Sequence, residues 1–145
     1  RTYDITHMLY PPVLYQMLLL QANSDDLKSL KVVSLGGETW PKDLLQKHIT
    51  LCPQAHLHNE YGPTEATVWS SVCQVYNADT QEQYPLTIGR PIANTRIYLM
   101  NPQQQLVPIG VKGEIYIGGV GLAQGYLNQD ELTASQFIEN PYTLG

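Results

Sequence analysis

The chain has 145 residues, 43% of them hydrophobic, and a formal net charge of −5. That length supports one modest domain with a real core. The acidic balance leaves no footprint for nucleic acid or an anionic membrane, and the longest apolar run, 13–20, is interrupted by Tyr15 and Gln16 and is too short to span a bilayer.

In chain order, residues 1–9 (RTYDITHML) read as a strand entering a buried sheet. Pro11 and Pro12 open a helix, where a missing N–H costs nothing. Leu14, Met17, Leu18 and Leu20 would form its apolar stripe, and Asn23-Ser24-Asp25-Asp26 would end it. LKVVSL (30–35) is a β-rich run into the turn Gly36-Gly37. Pro41 starts a second helix through about Ile49, with Leu44 and Leu45 inward, and Pro53 closes it. AHLHN (55–59) reads as a third strand and ATVWSSVCQVY (66–76) as a fourth. Strand and helix alternating in this way predict a layered α/β sheet, in which ligands sit off the carboxyl ends of the strands.

The texture changes near residue 77. Short strand-like runs, 95–101 and 113–119, alternate with turns and predict an antiparallel, barrel-like β subdomain. The expected division is residues 1–88 for the α/β subdomain and 89–145 for the β subdomain. A last helix is expected over 128–138, with Asp130 as N-cap and Thr133 as its third helical residue.

Cys52 and Cys73 have no metal-like spacing, and two reduced, buried thiols in a cytoplasmic protein are expected over a disulfide. No secretory signal opens the chain, which begins at Arg1 and stops at Gly145 in mid-phrase; an internal piece of a longer protein is expected.

The stretch HNEYGPTEATVW (58–69) is too rich in chemistry for a plain turn. Asn59 offers a donor and an acceptor suited to a purine edge. Tyr61 offers a flat face for a base, and Gly62 allows close approach to the backbone. Thr64 can bond a phosphate oxygen. Glu65 supplies a hard oxygen, and Mg²⁺ on a nucleotide needs only one or two protein carboxylates. Against this stands the plainer reading: Tyr61 in the core, Gly62-Pro63 as a turn, Thr64 and Glu65 as its cap.

LGGE (35–38), NEYGPTE (59–65), IGRPIANTRIYLMN (88–101) and GEIYIGGVGLAQGYLN (113–128), in this order, resemble the adenylation domains of nonribosomal peptide synthetases. These belong to the adenylate-forming, AMP-binding superfamily. GRPIANTRIYL and ELTASQFIENPY favour the peptide-synthetase branch over the acyl-CoA ligases. The resemblance implies an ATP- and Mg²⁺-dependent ligase that forms aminoacyl-AMP and pyrophosphate. The amino acid then passes to the phosphopantetheine thiol of a peptidyl carrier protein, beside condensation domains, in antibiotic and other secondary-metabolite synthesis. Asn59 would read the adenine edge, Tyr61 would stack on it, and Gly36, Gly37 and Gly62 would let backbone approach. Thr64 would touch phosphate and Glu65 would hold Mg²⁺, these two being the catalytic pair. Leu9, Ser34, Gly36, Glu60, Val68 and Trp69 would line the substrate side-chain pocket. Glu114 and the glycines at 113, 118, 119, 121 and 125 are read as architectural. Gln124 stands where many relatives carry Arg.

The chain contains neither the Lys-containing phosphate loop, nor the Thr-Gly-Asp motif for ribose, nor the small C-terminal domain with its lysine. Lys42 and Lys47 read as solvated charges, so the 145 residues alone are expected to be inactive. His56 and His58 share a strand face, a geometry that can bind metal, but packing or a solvated face is favoured and Glu65 is the sole metal ligand assigned. An acyl- or aryl-acid CoA ligase and a non-catalytic nucleotide-binding module are the alternatives.

Overall fold

A computed structural model describes residues 4–142. Two compact units divide the chain, one running to Tyr61 and resuming at Ser71–Arg90, the other formed by Gly62–Ser70 and the residues from Pro91 onward.

The first unit is a layered α/β sheet. Strand β1 (His7–Tyr10) is followed by α1 (Pro12–Gln21), α2 (Ser24–Leu27), β2 (Val32–Gly36), α3 (Leu44–Leu51), β3 (His56–Tyr61), β4 (Ser71–Asn77) and β5 (Glu82–Gln83). The spatial order is β1-β2-β3-β4-β5, and the two-residue β6 (Arg90–Pro91) pairs with β4. β1, β2 and β3 are parallel; β4 returns antiparallel to β3 with a register shift at Leu57/His58.

Registered neighbours in a sheet share a face, and successive residues alternate. Met8, Val33, Leu35 and Leu57 therefore lie on one face; Val33, Leu35 and Leu57 form the hydrophobic core with Tyr15, Leu19, Leu27, Leu44 and Cys52, and the half-buried Met8 packs against it. Leu9, Ser34, His58 and, further along, Gly36 and Glu60 lie on the opposite face.

Several expectations shift. The first strand is His7–Tyr10, an edge strand that is largely exposed, because it has β2 on one side only; residues 1–3 of the expected strand lie outside the described residues. On α1 the buried positions are Pro12, Tyr15 and Leu19, whereas Leu14 and Leu20 are 50% and 65% exposed. Tyr15 goes inward because its hydroxyl finds partners there: it donates to His48 Nδ1 at 2.8 Å and lies 3.2 Å from Cys52 Sγ. α1 ends at Gln21, just before Asn23 as expected, and Asn23 also begins the next helix: its side chain accepts from Asp26 N–H while Asp26 accepts from Asn23 N–H, a capping box. α3 starts at Leu44, after a turn from Pro41, and buries Leu44 with His48. β3 continues through Glu60 and Tyr61 because β2 and β4 flank it. Residues 66–70 are not strand.

In the second unit β7 (Thr95–Met100) pairs antiparallel with β8 (Glu114–Gly119), and α4 spans Asp130–Gln136. Its N-cap is Gln129, not Asp130. Thr133 Oγ1 instead accepts from Tyr126 N–H at 2.9 Å, which ties the helix to the preceding loop. Both cysteines are free; Cys52 is buried, Cys73 only partly so.

Candidate functional site

The parallel strands β2 and β3 end together: Gly36 is registered with Glu60. Both turns singled out in the sequence thus leave the carboxyl edge of the sheet side by side, where α/β sheets bind ligands. Gly36 is buried and still in the sheet, whereas Gly37, at φ +91°, makes the turn in a region that favours glycine. Glu38 fastens this turn to α1, its Oε1 accepting from Val13 N–H at 3.0 Å.

Alternation along β3 separates the expected roles. Asn59 and Tyr61 point to one side of the strand, Glu60 to the other. Glu60 shares its face with Gly36, Ser34 and Leu9, so four of the six expected substrate-pocket residues lie on one face of the sheet. Leu9 is 53% exposed there. His58, expected to pack or to face solvent, lies on the same face between Ser34 and Gln74. Its Nδ1 is buried with no hydrogen-bond partner among the described residues. Burial first, and the neighbouring His56 second, push its imidazole below the usual range. His56 finds a carboxylate: its Nε2 is 3.6 Å from Asp79, and its Nδ1 accepts from Ala78 N–H. Among the described residues no three His, Cys, Asp or Glu gather as a metal cage.

Asn59 is held at both ends of its amide. Trp40 Nε1–H donates to its Oδ1 at 2.9 Å, and its Nδ2–H donates to the Thr87 carbonyl at 2.8 Å. Neither partner is signalled by the sequence. Thr87 comes from a segment far along the chain, and Trp40 reads as a hydrophobe before Pro41.

The other half of the motif belongs to the second unit. Thr64–Ala66 is a 3₁₀ turn with Thr64 exposed. Thr67 and Val68 follow at φ 56° and 72°, and Trp69 N–H closes back on Thr67 carbonyl at 2.9 Å. This is a γ-turn centred on a β-branched residue, a strained conformation of the kind that gathers at ligand sites. Val68 is 54% exposed upon it. Gly62 is glycine for a reason internal to the chain: a Cβ there would collide with the Val68 carbonyl oxygen and sit 2.7 Å from Ser70 nitrogen. The backbone, rather than a ligand, fills the space.

Glu65 is half-buried. Tyr126 Oη–H donates to its Oε1 at 2.5 Å, and the two line a cleft of about 330 Å³ with Pro63, Ala66 and Phe137. The Tyr126 hydroxyl, and then the backbone N–H of Glu65 itself, hold the carboxyl below its usual range. Two further bonds tie these loops together, Ala123 N–H to Glu65 carbonyl at 2.8 Å and Thr67 Oγ1–H to Gly121 carbonyl at 2.6 Å. The 121–126 stretch therefore does more than turn: it braces the residue expected to hold metal.

A family model described as AMP-binding enzyme matches residues 1–127. The chain belongs to the AMP-binding enzyme family. Among curated relatives, tyrocidine synthase 2 of Brevibacillus parabrevis is 44% identical over 143 residues, 99% of this chain and 4% of that protein. Gramicidin S synthase 2 of Aneurinibacillus migulanus is 42% identical over 142 residues, 98% of this chain and 3% of that protein. This AMP-binding chain thus spans only a small fraction of the length of these relatives. Among solved structures, the AMPPNP-bound form of the nonribosomal peptide synthetase FmoA3 superposes with a TM-score of 0.84 at 30% identity, covering 97% of this chain and 16% of that one. PA1221, a nonribosomal peptide synthetase protein containing adenylation and PCP domains, gives 0.80 at 31%, covering 94% and 27%. The resemblance read from the four motifs and the α/β class of the first unit both stand. No helix among the described residues is long and apolar enough to cross a membrane.

Proposed function

We propose that this chain is part of an amino-acid-activating adenylation domain, which forms aminoacyl-AMP from an amino acid and ATP and releases pyrophosphate. The observation that carries the reading is the match of nearly the whole chain to peptide synthetases at 44% and 42% identity, with the amide, ring, hydroxyl and carboxylate of Asn59, Tyr61, Thr64 and Glu65 in the motif's order. The product would then be loaded on the phosphopantetheine thiol of a carrier protein, with condensation domains as further partners, in the cytoplasm.

Each residue has a role that its chemistry fits. Asn59 reads the adenine edge and Tyr61, on the same side of β3, offers its ring to the base. Thr64, exposed, is free to meet a phosphate oxygen. Leu9, Ser34, Gly36 and Glu60, with Val68 and Trp69, take the amino-acid side chain. Attack of the substrate carboxylate on the α-phosphorus brings anionic groups together, so the protein's task is positioning and charge neutralisation. Glu65 fits Mg²⁺: its carboxyl is held ionised, and a single carboxylate suits a cation that keeps waters and phosphate oxygens in its shell rather than an all-protein cage. The cation would supply neutralisation of phosphate charge, and Glu65, held by Tyr126, would orient it.

The test is ATP–pyrophosphate exchange by the complete protein and its Glu65→Gln variant. The variant loses a charged ligand and keeps the shape, so the exchange rate falls about a hundredfold or more while the unfolding temperature stays near the parent's. An unchanged exchange rate would leave Glu65 as a turn residue.

A further inference from the structure

We infer that Trp40 is a positioning residue for nucleotide recognition: its indole N–H and the Thr87 carbonyl lock the Asn59 amide in the orientation that reads adenine. This rests on the proposed role of Asn59 and deepens it.

An asparagine amide has two nearly isosteric ends, one accepting and one donating, and only its neighbours decide which way it points. Here both neighbours are unambiguous. The indole N–H can only donate, and it lies 2.9 Å from one end, which must be Oδ1. The Thr87 carbonyl can only accept, and it lies 2.8 Å from the other, which must be Nδ2. The amide is therefore fixed in sense as well as in place. Each partner uses half of what its end offers. One Oδ1 lone pair and one Nδ2 hydrogen remain. Adenine presents the complementary pair, the N6 amino donor beside a ring-nitrogen acceptor, whereas the corresponding edge of guanine shows two acceptors, O6 and N7. A flipped amide would offer its remaining groups in the opposite order.

The partners are themselves anchored. Trp40 follows the turn that Glu38 ties to α1 and packs against the hydrophobic core. Thr87 is held by its hydroxyl, which donates to Cys73 Sγ at 3.4 Å and accepts from Gly89 N–H at 3.1 Å. Cys73 is in turn registered with Asn59 across β3 and β4. The bracket around the amide is thus built on rigid strands on one side and a fastened turn on the other.

The experiment compares ATP with purine riboside triphosphate, which lacks the 6-amino group, in pyrophosphate exchange by the complete protein. Trp40→Phe keeps a ring and removes the donor. It is expected to raise KM for ATP about fivefold, the factor one neutral hydrogen bond carries. It should narrow the preference for ATP over the purine analogue by about the same factor and leave KM for the amino acid unchanged. A purely structural tryptophan would not move the nucleotide ratio apart from the amino-acid KM. Asn59→Ala is run beside it. If Asn59→Ala abolishes the preference and Trp40→Phe leaves it whole, Trp40 does not position the amide and the inference fails while the reading of Asn59 stands. If Asn59→Ala itself leaves the preference whole, the reading of Asn59 fails and the inference goes with it. Should Trp40→Phe not fold, site-specific replacement of Trp40 by benzothienylalanine, sulfur in place of N–H at equal ring volume, carries the same two outcomes.

Discussion

Acidification should loosen the first unit through one buried histidine. His48 is fully buried, its Nε2–H donating to Ala55 carbonyl at 2.9 Å and its Nδ1 accepting from Tyr15. Burial pushes the imidazole down to about 4, the bond to Ala55 opposing the shift. In the unfolded chain the same group titrates near 6.5. The folded value is the lower one, so between these limits the unfolded state binds more protons. Stability is therefore complete above pH 6.5 and is lost as pH falls toward 4. With those two values, linkage gives a loss of about 2 kcal/mol between about pH 7 and pH 5, rising to about 3 kcal/mol below about pH 4. His58, also pushed down by burial, acts with the same sign, so the assay must be a difference. Urea unfolding of the protein and of His48→Gln, which keeps a donor for Ala55, is followed by tryptophan fluorescence at about pH 7, 6 and 5. The variant starts less stable but loses about 2 kcal/mol less over the range. Equal losses in both proteins would show that His48 is not the titrating group and refute the reasoning.

Two substitutions probe the loop and the sheet face opposite the core. Gly62→Ala drives a methyl into the Val68–Ser70 backbone; destabilisation of about 1–3 kcal/mol is expected, read as a lowered denaturant midpoint, and an unchanged midpoint would mean that the γ-turn yields freely. Glu60→Ala in the complete protein should change the profile of a panel of amino acids in pyrophosphate exchange, because a carboxylate facing a pocket demands a partner. The parent should activate leucine and isoleucine poorly, and an identical profile in the variant would remove Glu60 from the substrate's surroundings.

The parts of this fold that are legible in the sequence are those decided locally. The Pro12 helix start, the β-branched run into Gly36 and the strand before Asn59 each carry their own signal. The α1 stripe is not legible, because residues 12–20 are apolar nearly all round and periodicity cannot choose a face. The choice is made by Tyr15, whose hydroxyl needs His48 and Cys52, 33 and 37 residues away. The same holds at the candidate site. Its motif residues stand out by type and order, but Trp40, Thr87 and Tyr126 act through contacts 19, 28 and 61 residues distant. The left-handed turn at Thr67 and Val68 runs against the residues' own preference for strand, and tertiary packing against Gly62 prevails.

Asn59 and Glu60 are consecutive, yet one points toward the Trp40–Thr87 bracket and the other to the opposite face with Ser34 and Leu9. On the proposed roles, a single peptide unit separates the handling of ATP from the choice of an amino acid. Leu9, Ser34 and Glu60 are then free to drift or be redesigned with little disturbance behind the sheet. A lineage, or an engineer, could change the building block at these positions, together with Val68 and Trp69, and keep the energy-coupling chemistry intact.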